Sequence, residues 1–342
     1  MQHHQRRKSD HIRINLQEDI SFKSVSTGFE RYRFVHCALP EISLQQVDPA
    51  AELLGKRLTA PFLISAMTGG TPEARRINRR LAEAAQACGV AMGLGSQRAA
   101  IEDPALGETY QVRDIAPDAL LFANLGAIQL NYGYAIDECQ RSVDMVEADA
   151  LVLHLNPLQE ALQPAGDTRF SGLLSKIEDV CRHLSVPVIA KEVGGGISTS
   201  VAKKLANVGV AAIDVAGAGG SSWSQVEMYR ATGQRERQVA TAFSEWGIPT
   251  AESLVMAVHG APDLPIIASG GIRNGIQIAK AIALGAAACG VAAPFLHAAV
   301  ESTDDVVELI DVFVTQLRVA MFAVGAIDLK ALRRASILRD DL

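Results

Sequence analysis

Short apolar runs recur along the chain, and each is followed by small polar residues and then by a segment with helical spacing. Eight such runs can be distinguished, at 60–70, 89–98, 119–127, 150–157, 186–196, 210–220, 264–272 and 286–295. Nearly continuous apolar character is typical of strands covered on both faces, as in parallel sheets, which helices connect with right-handed crossovers. The pattern therefore predicts eight parallel strands that alternate with helices.

The segments between the runs support this interpretation. Residues 73–89 and 200–209 have helical periodicity and end at glycine, a usual C-terminal stop. Repeated strand-then-helix units of about 25 to 35 residues fit an α/β fold of the TIM (β/α)8 barrel type. A doubly wound open sheet fits less well, because it usually has fewer strands.

Two regions depart from the repeat. Residues 1–60 precede the first run and are predicted to form an N-terminal extension, while residues 61–342 form the barrel as a single catalytic domain. An insertion from Ser221 to Ala261 separates the sixth and seventh runs, and so lies between barrel strands 6 and 7. Its polar and charged stretch SSWSQVEMYRATGQRERQ is typical of an active-site lid.

Composition narrows the class of protein. With 342 residues, 49% of them hydrophobic and 20% charged, the chain can build a large core. A net charge of -6 argues against a nucleic-acid or membrane-surface partner. The five cysteines show no metal-ligand spacing, and the N-terminus has no apolar signal region, so we expect free thiols in a reducing cytoplasm. The uncharged stretch between Lys280 and Glu301 contains glycines and a proline, which favour a buried strand over a membrane span.

The fourth run ends in HLNPLQE, which places His154, Asn156, Gln159 and Glu160 together. A solvated loop would explain them, but in TIM barrels the reactive groups lie at the carboxyl ends of the strands. Glu160 offers a hard oxygen ligand for a Mg2+ that also holds a diphosphate, or else it is a surface residue at a helix start. His154 and Asn156 could donate to phosphate oxygens, although a buried core histidine is an equal alternative.

Glycine-rich turns follow the last three strands, in GAGGSS, SGGIRNG and GVAAP. Exposed backbone N–H groups in such turns commonly bind phosphate in these barrels, which indicates a phosphorylated cofactor such as FMN. Lys191, at the end of the fifth strand, would neutralise charge on a bound ring or form a salt bridge to Glu192 or a neighbour. Thr68, Ser96 and Asn124 are uncharged groups suited to the edge of a flavin ring.

The stretch RRKSDHI at 6–12 contains Arg7, a forked hydrogen-bond donor, Lys8, a point charge, and His11, a third donor. This combination suits a diphosphate. A disordered basic tail is the alternative.

In order along the chain, RRKSDHI, SAMTGG, GSQR, NLGA, HLNPLQE, KEVGGG, GAGGSSW, WGIPT and SGGIRNG closely resemble motifs of the type 2 isopentenyl-diphosphate delta-isomerases, FMN-dependent TIM-barrel enzymes. The resemblance implies interconversion of isopentenyl and dimethylallyl diphosphate, with FMN, Mg2+ and a reductant such as NADPH. It implies that reduced flavin moves the proton, because no side chain here is an obvious acid or base.

The resemblance also assigns roles to matching positions. Gln159, His154 and Lys191 would be catalytic, and Glu160 would hold Mg2+. The substrate would be bound by Arg7, Lys8, His11, Ser96, Arg98, His154, Asn156 and Gln159. FMN would be bound by Ala66, Met67, Thr68, Ser96, Asn124, Lys191, Ser221, Gly270, Gly271, Arg273, Ala292 and Ala293.

Some positions and alternatives stay open. The family more often has Thr in place of Ser221 and Ser in place of Ala216, so we expect FMN to bind with one hydroxyl contact fewer. A homo-oligomer, tetrameric or octameric, is expected by analogy with related barrels.

The alternative function is an FMN-dependent 2-hydroxy acid oxidase or dehydrogenase, which would need a histidine base and an arginine near the end of strand seven.

Overall fold

A computed structural model describes the backbone of residues 2–340 and the side chains of residues 10–340. The strands are β1 Tyr32–Phe34, β2 Ala51–Leu53, β3 Lys56–Leu58, β4 Phe62–Ile64, β5 Ala91–Gly93, β6 Leu121–Gly126, β7 Ala150–Leu155, β8 Val188–Glu192, β9 Ala212–Asp214, β10 Ile266–Ser269, β11 Ala288–Val291 and β12 Ile337–Arg339.

The α-helices are α1 Gln2–Gln17, α2 Pro72–Cys88, α3 Arg98–Glu102, α4 Ile136–Val146, α5 Pro157–Leu162, α6 Leu173–His183, α7 Thr199–Asn207, α8 Trp223–Arg230, α9 Gln234–Ala242, α10 Thr250–Gly260, α11 Gly275–Ala283, α12 Ala293–Glu301, α13 Thr303–Ala323 and α14 Leu329–Leu332. Short 3-10 helices lie at Phe29–Arg31, Leu44–Gln46, Pro104–Thr109 and Ala127–Tyr132.

Strands β4 to β11 form a closed parallel barrel in chain order. Each of the eight predicted runs contains one of these strands. The barrel closes where β11 pairs with β4, with Cys289 opposite Phe62. The predicted TIM-barrel class is therefore confirmed.

Local sequence signals explain where the connecting helices begin and end. Helix α2 starts after Thr71, whose hydroxyl accepts the N–H of Ala74, and Pro72 occupies its first turn. It ends at Gly89, which adopts the left-handed conformation with a φ of 65°. The stretch between Lys280 and Glu301 contains the buried strand β11, as predicted. Within residues 2–340, no helix combines the length and the apolar character that crossing a membrane requires.

The N-terminal residues pack against both ends of the barrel. The hairpin of β2 and β3 contributes Leu53 and Leu58 to an apolar cluster with the inward-facing residues of the barrel strands. At the other end, residues 20–22 run beside residues 220–222, with Ser21 bridged to Ser221. Strand β1 pairs with β12, which joins the extension to the C-terminal residues.

The long connection from β9 to β10 contains α8, α9 and α10. Helix α10 packs against α7 and β10, as the crossover helix of a barrel does. Helix α8 instead packs against α1 and α5. The part of the predicted insertion that departs from the barrel repeat is therefore α8 and α9, while α10 belongs to the helical ring.

Candidate active site

A cleft opens at the carboxyl ends of the barrel strands. It brings together every predicted site residue whose side chain is described. These are His11, Ala66, Met67, Thr68, Ser96, Arg98, Asn124, His154, Asn156, Gln159, Glu160, Lys191, Ser221, Gly270, Gly271, Arg273, Ala292 and Ala293. The side chains of Arg7 and Lys8 lie outside the described residues.

The end of β7 turns at once into a helix. Pro157 stands at the first position of α5, where its missing N–H costs no hydrogen bond, so Gln159 and Glu160 fall in the first turn. Asn156 is 3% exposed and Glu160 is 6% exposed. The alternative of a solvated loop with a surface glutamate therefore does not hold for this pair.

A hydrogen-bond network fixes these side chains. Asn156 Nδ2 donates to Glu160 Oε1 at 2.8 Å and to Gln159 Oε1 at 3.2 Å. Glu160 Oε2 accepts the backbone N–H of Asp167 at 2.7 Å and a further hydrogen bond from the Gln163 amide. Because the Gln159 oxygen is held by Asn156, its Nε2 points to Glu227 Oε1, 3.2 Å away.

Glu227 is a site residue that the sequence reasoning missed. Its side chain is 1% exposed, and it lies 2.6 Å from Arg230 Nη1 and 3.8 Å from His11 Nε2. Trp223, Glu227 and Arg230 are spaced i, i+4, i+7, which places them on one face of α8. That spacing in the stretch already taken as a lid was the available signal.

Lys191 has a buried partner on the neighbouring strand. Its Nζ lies 3.0 Å from Asp214 Oδ2 and 3.2 Å from Ser269 Oγ. The salt-bridge alternative thus holds with a neighbour and not with Glu192, because successive strand residues point to opposite faces. Glu192 instead accepts the N–H groups of Val193 and Gly194. Burial raises the pKa of Glu192 in spite of these backbone hydrogen bonds.

His154 contacts a side chain on the neighbouring strand β6. Its Nδ1 lies 2.8 Å from Asn124 Oδ1, which acts as the acceptor and so places a proton on Nδ1. Asn124 is held in turn by Gln97, whose side-chain oxygen accepts the Asn124 N–H at 2.9 Å. The histidine thus has a fixed ring orientation at the mouth of the barrel.

Arg98 lies between two carboxylates. Its Nε donates to Glu102 at 2.8 Å and its Nη1 donates to Asp167 at 2.8 Å. Burial acts to lower the pKa of Arg98, but the hydrogen bonds to the two carboxylates outweigh it and raise the pKa. The guanidinium is therefore a fixed and permanent positive charge at the cleft.

The part of the cleft formed by the end of β4 and the glycine-rich turn after β10 offers groups that suit a bound cofactor. The hydroxyls of Ser65 and Thr68 are buried and have no hydrogen-bond partner among the described residues. Gly270 has a φ of 106°, and a Cβ there would lie 2.1 Å from the Gly217 oxygen. Ala216, where the family more often has Ser, has a φ of 37°, a strained value for a residue other than glycine. Unpaired hydroxyls beside glycine-rich turns fit the polar edge and phosphate of FMN.

The protein supplies few ligands for a metal. No cluster of three or more His, Cys, Asp or Glu side chains occurs within residues 10–340. Glu160 offers one buried carboxylate at the cleft. This donor set fits Mg2+, which keeps several waters and is often shared between one carboxylate and substrate phosphates.

Comparisons with known proteins identify the family of this chain. The family model of FMN-dependent dehydrogenases matches residues 1–110 and 146–339. An isopentenyl-diphosphate delta-isomerase from Synechocystis sp. is 57% identical over 331 residues, covering 97% of this chain and 95% of the relative. A second, from Xanthobacter autotrophicus, is 54% identical and covers 98% of both chains.

Solved structures of mandelate oxidase variants share the fold. One superimposes with a TM-score of 0.68 at 19% identity, covering 98% of this chain and 99% of the other. At 19% identity this similarity supports only the shared barrel fold. The full-length relatives, which are more than 50% identical, show the family. The chain therefore belongs to the isopentenyl-diphosphate delta-isomerases, within the wider family of FMN-dependent dehydrogenases.

Proposed function

We propose that this protein interconverts isopentenyl diphosphate and dimethylallyl diphosphate by an allylic 1,3-proton shift. The observation that carries the proposal is the arrangement at the end of β7, where the amide of Gln159 and the buried carboxylate of Glu160 stand side by side. Gln159 would face the substrate and Glu160 would hold the cation. The full-length relatives named for this reaction support it.

The diphosphate would be held at the cationic side of the cleft. Arg98 presents a fixed guanidinium, and His154 is oriented by Asn124. Arginine suits diphosphate because its forked donors match two phosphate oxygens. Arg7, Lys8 and His11 would add donors from α1, with Asn156 and Ser96 at the edge of the cleft.

FMN would be held by the residues that line the strands on the opposite side. Thr68 and Asn124 would contact the ring, and the turns at Gly270–Gly271 and Ala292–Ala293 would take the phosphate. Lys191 would neutralise negative charge on the reduced ring while Asp214 and Ser269 hold its ammonium in place. When bound there, reduced FMN would supply acid and base chemistry without a net redox change.

Gln159 would bind the substrate near its reacting carbons. An amide does not transfer protons, so its task is to orient the substrate. Glu227 fixes which edge of that amide faces the cleft. It also adds a carboxylate beside Gln159, which the sequence analysis did not predict.

Further parts of the proposal rest on the family resemblance. Glu160 would hold Mg2+ together with the diphosphate, and NADPH would keep the flavin reduced. We also propose a cytoplasmic location and a homo-oligomer, tetrameric or octameric.

The alternative of a 2-hydroxy acid oxidase is favoured by the shared barrel and by the match to the FMN-dependent dehydrogenases. Such an enzyme needs a histidine base close to an arginine at the end of β10. Arg273 lines the cleft, but His259 lies in α10, which precedes that strand. Among residues 10–340 the histidines that line the cleft are His11 and His154.

The test is anaerobic conversion of isopentenyl diphosphate by the purified protein with FMN, Mg2+ and NADPH, each omitted in turn. We expect conversion only when all three are present. Lactate serves as the control substrate. Flavin reduction by lactate, with no conversion of the diphosphate, would establish the oxidase instead.

A further inference from the structure

The loop between α5 and α6 carries a carboxylate that the proposed function does not use. Asp167 is 17% exposed at its side chain and lies beside the cleft. Its Oδ2 accepts from Arg98 Nη1 at 2.8 Å and from Gln129 Nε2 at 3.0 Å. Its backbone N–H donates to Glu160 Oε2 at 2.7 Å. Asp167 therefore contacts both Arg98, which is expected to bind the diphosphate, and Glu160, which is expected to hold the metal.

The backbone of this loop is built for that contact. A Cβ on Gly166 would lie 1.9 Å from the Glu160 carbonyl oxygen, so only glycine allows the loop to approach α5. Ala165 has a φ of 56°, a strained conformation for alanine. Strain of this kind persists where surrounding contacts impose it, and it is concentrated at functional sites.

Contacts on the far side of the loop hold it in place. The Arg169 guanidinium lies 4.1 Å from the centre of the Tyr132 ring. Asn131 Nδ2 donates to the Ser171 carbonyl oxygen at 3.1 Å. Both partners belong to the 3-10 segment Ala127–Tyr132 that follows β6. Asp167 therefore sits on a loop anchored at both ends.

We propose that Asp167 is a positioning residue that holds Arg98 ready for the diphosphate and fixes it relative to Glu160. The inference rests on the proposed function. Arginine has a long and flexible side chain, and fixing its guanidinium before the ligand arrives lowers the entropy cost of binding. The bonds to Glu102 and Asp167 use Nε and Nη1, which leaves Nη2 for an anion.

The negative charge of Asp167 and its contact with Arg98 should have opposite effects on diphosphate binding. Asp167 is an anion near an anion-binding site, so its charge alone opposes diphosphate binding. If charge were its main effect, removing it would tighten binding. If it positions Arg98, removing the side chain weakens binding, and asparagine, whose oxygen accepts the same hydrogen bonds, restores most of the affinity.

The experiment measures binding of inorganic pyrophosphate with Mg2+ to the FMN-loaded protein by calorimetry. We expect Asp167→Ala to weaken binding about tenfold, a loss typical of one charge-assisted hydrogen bond, and Asp167→Asn to recover most of it. In turnover of isopentenyl diphosphate, KM should rise while kcat changes little. Retention of FMN should not change in either variant.

A double-mutant cycle separates positioning from loop stability. In an Arg98→Ala background, Asp167→Ala should add less than about a twofold loss, because the group it positions is gone. Glu102→Ala is the matched control, since Glu102 contacts Arg98 but makes no hydrogen bond to Glu160. A full loss from Asp167→Ala in the Arg98→Ala background, or tighter binding in Asp167→Asn, would overturn the inference.

The outcomes also distinguish this inference from the proposed function. Wild-type protein that binds pyrophosphate with Mg2+ but does not isomerise the diphosphate contradicts the function, while the cycle still decides the role of Asp167. Wild-type protein that isomerises, together with an unaffected Asp167→Ala variant, contradicts the positioning role alone. Failure of the wild type to bind pyrophosphate overturns both.

Discussion

The two ends of the barrel are built in opposite ways. At the amino end, the hairpin β2–β3 closes the barrel and its leucines pack on inward-facing residues of the strands. This floor comprises Leu53, Leu58, Leu63, Ala91, Leu120, Phe122, Ala150, Val152, Ile189, Ala212, Ile267 and Ala288. At the carboxyl end the strands finish in hydroxyls, amides and charged groups around an open cleft.

Even the polar groups differ between the ends. At the amino end, Asp149 accepts from Lys56 at 2.8 Å, from Arg113 at 3.0 Å and from the Leu121 N–H at 2.8 Å. Burial acts to raise the pKa of Asp149, but these partners lower it. At the cleft, by contrast, the buried hydroxyls of Ser65 and Thr68 lack partners among the described residues.

This difference indicates that the amino end stabilises the fold and that the carboxyl end carries the chemistry. A satisfied and well-packed floor stabilises the fold. Unpaired buried groups and a strained alanine at position 216 destabilise it, and such features persist where a ligand uses them. The comparison predicts that substitutions at the two ends will have different consequences.

The largest effect on the free energy of unfolding is expected for substitutions in the floor of the barrel. Phe122 is 2% exposed, so Phe122→Ala should lower the free energy of unfolding by about 4 kcal/mol through lost packing and a cavity. FMN affinity should be unchanged at temperatures where the variant is folded. Urea denaturation measures the first quantity and FMN titration the second. Ile189→Val is the milder variant, with an expected loss of about 1 kcal/mol.

At the cleft, Thr68→Val should act in the opposite direction on stability. The change keeps the side-chain shape and removes a buried hydroxyl without a partner, so the FMN-free protein should gain about 1 kcal/mol. FMN affinity should fall about tenfold, since a hydrogen bond to the cofactor is lost. Lower stability with unchanged FMN affinity would show that Thr68 has an internal partner and no part in binding.

A smaller effect on stability is expected at Glu245, which connects the N-terminal segment to the insertion between β9 and β10. Glu245 accepts the N–H groups of Lys23, Ser24 and Val25, each at 2.9 Å. Burial alone would raise the pKa of Glu245, but these N–H groups lower it to about 2. A lowered pKa means that the stabilisation is complete above the unfolded value near 4.5 and disappears as the pH falls toward 2.

Glu245→Gln should therefore cost at most about 1 kcal/mol at neutral pH, because solvent screens this partly exposed carboxylate. The difference from wild type should shrink as the pH falls from 4.5 to 2. Glu308→Gln, the same substitution at an exposed position on α13, serves as the matched control. A constant difference across that range would mean that the charge of Glu245 contributes nothing.

The strands and the cleft residues were accessible to sequence reasoning because each depends on a local pattern. Apolar runs predicted β4 to β11, and polar groups at the carboxyl ends of these runs predicted the cleft positions of Asn124, His154 and Lys191. The order of the barrel then brings such residues together without further information, since all parallel strands end at the same edge.

Pairings between distant segments were not accessible in this way. Lys191 meets Asp214, and Gln159 meets Glu227, through contacts that the closed barrel and the packing of α8 create. Asp167 follows a short helix, and no local pattern shows that it reaches Arg98. Such partners require the tertiary structure because they lie dozens of residues apart.

The most direct test compares Gln159→Ala with Phe122→Ala in anaerobic conversion of isopentenyl diphosphate, with urea unfolding measured on the same samples. We expect Gln159→Ala to lose about a hundredfold in conversion with unchanged unfolding, a loss of about 2.7 kcal/mol in transition-state stabilisation. Phe122→Ala should unfold more easily yet convert normally while folded. Full conversion by Gln159→Ala would contradict the assignment of the reaction to the carboxyl end of the barrel.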